Sequence, residues 1–173
     1  HYVPQVFIDG SAGQDIDFSN GRTARGANFT YGATLRPTDH LEIGLNNALR
    51  FLNDPHSTID HDRIFTAQAE RLTVRYTFNA KTFIRAIWQN ERTNRNLGLY
   101  TFDTNQHTGD LVSQLLWAYK RNWQTVMYAG YGDLLEAESL TGDLKRSNRQ
   151  FFIKLSYAFP RSPSPSNGSW NFA

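Results

Sequence analysis

The chain has 173 residues, 39% of them hydrophobic and 20% charged, with a formal net charge of +2 and no cysteine. That length suits one domain or one closed barrel, and the missing thiols exclude disulfides, thiolate metal sites and cysteine nucleophiles. No run of about 18 apolar residues occurs, which excludes a transmembrane helix but not a transmembrane β-barrel, whose strands alternate in polarity.

The predicted elements, in chain order, are strands. Residues 3–18 are β-like but interrupted by Pro4, Gly10 and Gly13. Over 28–36, Phe29, Tyr31, Ala33 and Leu35 oppose Asn28, Thr30, Gly32, Thr34 and Arg36. Over 41–51, Leu41, Ile43, Leu45, Leu49 and Phe51 oppose Glu42, Gly44, Asn46, Ala48 and Arg50. Over 71–78, Leu72, Val74, Tyr76 and Phe78 oppose Arg71, Thr73, Arg75 and Thr77. Segments 82–89, 111–120 and 123–131 alternate less cleanly; in the first, Phe83 and Ile87 share the face of Arg85. The clearest pattern closes the series: Phe151, Ile153, Leu155, Tyr157 and Phe159 oppose Phe152, Lys154, Ser156 and Ala158. Period-2 alternation of this kind marks a strand with two unlike faces. No segment has a convincing helical period, although 134–140 could form one helical turn.

Eight strands of this kind predict an all-β, antiparallel, up-and-down transmembrane barrel over residues 1–159, followed by a Pro/Ser-rich tail over 160–173. Connections alternate in length. Short turns fall at 37–40, 79–81 and 121–123, and longer polar links at 19–26, 53–62, 91–108 and 134–147. Outer-membrane barrels show this asymmetry, with the short turns periplasmic. The expected placement is therefore the outer membrane of a Gram-negative bacterium, with both termini on the short-turn side. Aromatic residues gather at the same end: Tyr76, Phe78, Phe83, Trp117, Tyr119, Trp123, Tyr157 and Phe159 form the expected girdle. Phe51, Tyr131 and Phe151 are placed near the opposite rim.

The same period fits a soluble barrel or sandwich turned inside out, binding an apolar ligand with Phe151, Ile153, Leu155 and Tyr157 facing a cavity. The polar faces favour the membrane arrangement, because they are rich in Gly, Ala, Ser, Thr and Gln with scattered charge. The charged members would face the lumen: Arg36, Glu42, Arg50, Arg71, Arg75, Arg85 and Lys154. In an eight-stranded barrel they would pack as a side-chain network; in one of about 14–16 strands they would line water and favour anions.

Other chemistry has thin support. His56, Ser57, Asp60, His61 and Asp62 form the densest titratable cluster and suggest a metal or lipid-hydrolase site, yet they fall in a polar loop without a rigid scaffold. Asp9, Asp15 and Asp17 suggest cation contact, with solvation as the plainer reading. Gly130-Tyr-Gly132 lies within a strand and has no helix to cradle a phosphate. Trp170 and Phe172 could tie the tail to an interface. No catalytic residue, metal or cofactor is expected, and the chain reads as a non-enzyme. The pI near 9.0 reflects 18 basic against 16 acidic residues, with no Lys/Arg block, so nucleic acid is not an expected partner. Residues 1–20 show no signal-peptide pattern. A chain starting at His1 is expected to be a mature form, a processed product or a fragment.

Segments 111–119 (LVSQLLWAY), 125–133 (TVMYAGYGD) and 149–159 (RQFFIKLSYAF) resemble the closing strands of an uncharacterised outer-membrane family. That family joins an N-terminal carbohydrate-binding-like (family 9) module to a C-terminal barrel. Segment 71–89 resembles its preceding hairpin, so the resemblance covers roughly residues 40–159. It implies location and fold and carries no catalytic residues. The module has no counterpart here, and the chain continues past Phe159, which resembles the terminal aromatic of a barrel-assembly signal. The resemblance thus implies the C-terminal part of a larger barrel, or a separate piece that assembles with others. Expected partners are outer-membrane lipid and other subunits of such a complex.

Overall fold

A computed structural model describes residues 4–56, 62–138 and 143–159. It is all-β: eight antiparallel strands follow one another in a single up-and-down sheet. They are β1 (Gln5–Asp17), β2 (Arg22–Thr38), β3 (Leu41–Asn53), β4 (Arg63–Asn79), β5 (Thr82–Arg95), β6 (His107–Lys120), β7 (Thr125–Glu138) and β8 (Lys145–Tyr157). A 3-10 turn at Leu97–Leu99 interrupts the β5–β6 connection. Among the described residues no helix is long and apolar enough to cross a membrane.

The strands extend further from the short turns than the alternation predicts. β4 begins at Arg63 rather than 71, β5 runs to Arg95 rather than 89, and β7 continues through Glu138, into the stretch whose sequence would allow one helical turn. The reason is chemical. In the outer half of β5 both faces are polar, and in that of β4 the polarity inverts, with Phe65, Ala67 and Ala69 on the arginine side and Thr66, Gln68 and Glu70 on the belt side, while the backbone ladder continues. The links on that side shrink to 18–21, 54–62, 96–106 and 139–144, against turns of 39–40, 80–81 and 121–124 on the other. The length asymmetry persists in reduced form. Trp123 falls in the last of these turns rather than in a strand.

Cross-strand partners lie on the same face of a sheet, so the register joins the alternating residues of each strand into two continuous surfaces. One surface carries Tyr31 beside Ile8, Leu45 beside Leu72, Leu72 beside Trp88, Leu115 beside Tyr131 and Ala129 beside Ile153. This apolar belt crosses all eight strands. On β3 its apolar members run from Leu41 to Phe51, broken at Asn47, a stretch that at about 3.3 Å per residue and about 40° tilt covers roughly 25 Å.

Very little of this apolar surface is buried. The compact core holds Ala24, Leu52, Ile64 and Leu99, with Phe65 and Tyr100 packed against it. Among the described residues, only Leu52 and Ile64 of the large side chains are fully enclosed. Most belt residues are exposed, including Ile8, Leu45, Trp88, Leu115, Trp117, Ile153 and Leu155. A soluble sheet would cover such a face with a second layer; here nothing covers it among the described residues.

Glycines let aromatic rings lie flat on the sheet. A Cβ on Gly32 would come within 2.6 Å of both the Phe7 ring and the Leu45 carbonyl, and one on Gly130 within 2.3 Å of the Phe152 ring. Phe7 and Phe152 are the direct cross-strand partners of those glycines. Each edge strand thus folds one ring back over its inner neighbour.

Candidate functional site: the arginine face and its strap

The second surface of the sheet is the candidate site. The register places Arg36, Glu42, Arg50, Arg71, Arg75, Arg85 and Lys154 together on it, opposite the belt. Their pairing is uneven. Arg36 donates to Glu42 at 2.7 Å across the bulge at the end of β2, where Pro37 interrupts the ladder. Arg50 donates to Asp15 at 3.0 Å. Arg71 reaches only the Gln89 amide, at 3.4 Å. Arg75 lies over the Phe83 ring, 4.4 Å from its centroid, and stands directly across from Arg85. Arg71, Arg75, Arg85 and Lys154 have no carboxylate partner among the described residues. Like charges directly opposite each other cost stability, so this face holds a local excess of positive charge at that expense.

Above these residues lies a shallow trough of about 210 Å³. Asn28, Thr30, Ala48, Ala67 and Ala69 form its floor, and Arg50 and Glu91 flank it. The small side chains leave room there, while the flanking charges keep it wet.

A strap crosses the outer end of the same face. Residues 96–106 leave β5, pass over β4 and β3, and reach β2. Leu99 inserts between Ala24, Leu52 and Ile64. Arg22 fastens it: the guanidinium donates to the Leu99 carbonyl at 2.7 Å, to Asp54 at 2.7 Å and to Asp17 at 3.1 Å. Asn20 accepts from the backbone and hydroxyl of Thr101 at 3.2 and 3.3 Å, and also donates to Asp17 at 2.7 Å. Three outer connections therefore converge on one guanidinium. Its planar, multi-donor geometry suits the task as a lysine could not. Asp17, which the sequence offered as a cation contact, is instead a buried anion satisfied by Arg22 and Asn20.

Tyr100 ties the strap to pH. Burial holds its phenol above the ordinary value of 10.0, with Arg95 acting against this shift and Asp17 reinforcing it. A raised pKa means the folded strap prefers the neutral phenol. Its contribution is complete below pH 10 and is lost as pH rises through the folded-state value. Limited proteolysis between residues 96 and 106 is expected to accelerate as pH rises above 10, and Tyr100→Phe is expected to flatten that rise.

The belt face has its own polar border, which alternation alone did not reveal. Gln68 donates to Glu70 at 2.7 Å, and Arg92 donates to Gln68 at 2.9 Å and lies 3.6 Å from Glu70. Glu70 sits one register step, and Gln68 and Arg92 two, beyond Leu72 and Trp88 on the same face. Asp133 does likewise on β7, accepting from Arg146 at 2.9 Å with Arg149 at 3.7 Å. Arg63 lies over Phe51, 4.1 Å from its ring centroid, at the outer end of β3.

The aromatics of the short-turn end sit in contact. Tyr76 meets Phe78 edge-on at 4.9 Å, Trp117 stacks on Tyr119 at 6.1 Å, and Tyr157 meets Phe159 edge-on at 4.9 Å. Trp123 projects from its turn into solvent.

No group of three or more metal-binding side chains occurs among the described residues. His56 uses its backbone N–H to donate to Asp54 at 3.0 Å in a local turn. Ser57, Asp60 and His61 lie outside the described residues, as do Trp170, Phe172 and the rest of the tail. No family model, curated protein or solved structure matches the chain.

Proposed function

We propose that this chain is a wall segment of an outer-membrane β-barrel, with the belt against lipid and the arginine face lining an aqueous passage that favours anions. One observation carries the reading: an apolar face exposed across all eight strands, opposite a face with uncompensated arginines. In water such a belt would draw the chain into aggregates; in a bilayer it is the surface the lipid requires. The aromatic cluster at the short-turn end and the hydrogen-bonded polar border at the other supply two interfaces. The resemblance of residues 40–159 to an outer-membrane family agrees with this assignment. A wall segment of a complex that conducts nothing is the companion reading.

Two measurements test it. The chain is expected to stay in the membrane pellet through carbonate washing and to need detergent for release; extraction without detergent sinks the membrane assignment. In planar bilayers under a salt gradient, the reversal potential is expected to show anion preference. Replacing Arg71, Arg75 and Arg85 by Glu is expected to lower the anion-to-cation permeability ratio by at least about threefold. An unchanged ratio would remove these residues from the passage.

A further inference from the structure

β1 and β8 are the two open edges of the sheet: within the described residues β1 pairs with β2 alone and β8 with β7 alone. Their apolar side chains lack a lateral neighbour. Val6, Ile8, Ile153 and Leu155 are 72, 81, 71 and 66% exposed, against 47 and 49% for Leu45 and Leu115 in the middle of the same belt. Resting on the membrane reading, this cannot be the final state, because an unpaired strand edge is not tolerated in hydrocarbon.

We propose that each edge pairs with the opposite edge of a second copy of this chain, β8 to β1 at two equivalent seams, closing a sixteen-stranded barrel with a two-fold axis. Several features fit this occupant. β1 and β8 run in opposite directions in an up-and-down sheet of eight, so joining them continues the antiparallel order. Each is 13 residues long and free of proline, which is unlike the blunted edges of soluble sheets. Phe7 and Phe152 lie back over their own sheet, leaving the edges clear.

Register and charge agree as well. Keeping the belt continuous requires Val6, Ile8, Gly10 and Ala12 to meet odd-numbered residues of β8. The alignment that sets Val6 against Tyr157, Ile8 against Leu155 and Ala12 against Phe151 also sets Asp9 against Lys154. Neither of those two has an ion-pair partner among the described residues. A shift by two residues either way would leave Asp9 facing Phe152 or Ser156.

Pairing β1 with β8 of the same chain would close an eight-stranded barrel instead, whose interior is filled by side chains. That would enclose Arg71, Arg75 and Arg85, which have no carboxylate partner among the described residues, together with the Phe7, Phe83 and Phe152 rings. A sixteen-stranded barrel leaves a water channel in which these cations stay solvated.

The absence of native cysteine makes the seam directly testable. Full-length chains carrying Asp9→Cys and Lys154→Cys separately are co-expressed in the outer membrane of a bacterial host and oxidised there. A disulfide-linked species of two chain masses is expected from the mixture and not from either variant alone. Lys154→Asp is expected to lower the dimer fraction about fivefold, and Asp9→Lys with Lys154→Asp to restore it. Self-closure would overturn the proposal: only single-chain masses from the mixture, with an internal disulfide in the double-cysteine chain. Pairing with other strands would overturn it too: no disulfide in either experiment, though the chain resists carbonate. Release of the chain by carbonate fails the membrane reading itself, which separates that failure from failure of the seam.

Discussion

Replacing Arg22 by Ala is expected to release the strap and to destabilise the outer end of the sheet by about 3 kcal/mol. The guanidinium serves Asp17, Asp54 and the Leu99 carbonyl at once. Asp17 is 2% exposed, and truncation would leave it as a buried carboxylate with only the Asn20 amide. Breaking a buried ion pair from one side costs about 3–5 kcal/mol. The lower end applies here because the Arg22 side chain keeps 28% of its exposure. Losing its anchor, Leu99 would also leave the Leu52–Ile64 core, the one compact cluster in the sheet. The measurement is the temperature of the heat-modifiable gel shift, together with protease cleavage within 96–106. Arg22→Lys is expected to fall between wild type and Arg22→Ala, because an ammonium keeps the charge but not the fork. An unaltered cleavage rate in Arg22→Ala would show that the strap is held by Leu99 packing alone. On the pore reading, releasing the strap widens the outer mouth, and single-channel conductance is expected to rise.

The second large effect separates the two faces. Leu45 lies at the middle of the belt and is already half exposed. In a soluble sheet, Leu45→Arg would place a charge in water and change little. In a bilayer it places a charge in the hydrocarbon, which costs about 2–4 kcal/mol at the midplane and less toward an interface. The neighbouring Asn46 points to the arginine face, with Arg71 as its cross-strand partner. Asn46→Arg is therefore expected to cost well under half as much, as an addition to a wet, already basic surface. Urea unfolding of the chain reconstituted in lipid vesicles gives both values. Equal costs at the two positions would contradict the assignment of the faces.

Much of this was legible in the residues. Period-2 alternation assigned Arg36, Glu42, Arg50, Arg71, Arg75, Arg85 and Lys154 to one face and most of the aromatics to the other, with Phe83 and Phe152 beside the charges. The register keeps the charged set together, since parity is fixed by the backbone itself, while Phe7, Phe83 and Phe152 fall on the arginine face rather than with the other aromatics. What alternation could not show lies in the outer halves. Residues 91–95 read as polar link because both of their faces are polar, and over 63–70 the polarity inverts, with Phe65, Ala67 and Ala69 opposite Thr66, Gln68 and Glu70, yet the ladder runs through both. The Gln68–Glu70–Arg92 border and the Asp133 pair were hidden for the same reason.

The sequence by itself determined the strand content, the two-faced character of the sheet and the concentration of aromatics at the short-turn end, because each depends on local order along the chain. Only the tertiary structure decided the rest. It brought Asp17, Arg22, Asp54 and Leu99 together across three loops, left Arg75 facing Arg85, and gave β1 and β8 one open edge each among the described residues. These outcomes depend on which strands lie side by side and in what register. Hydrophobic periodicity records which way a side chain points and is silent about what it meets.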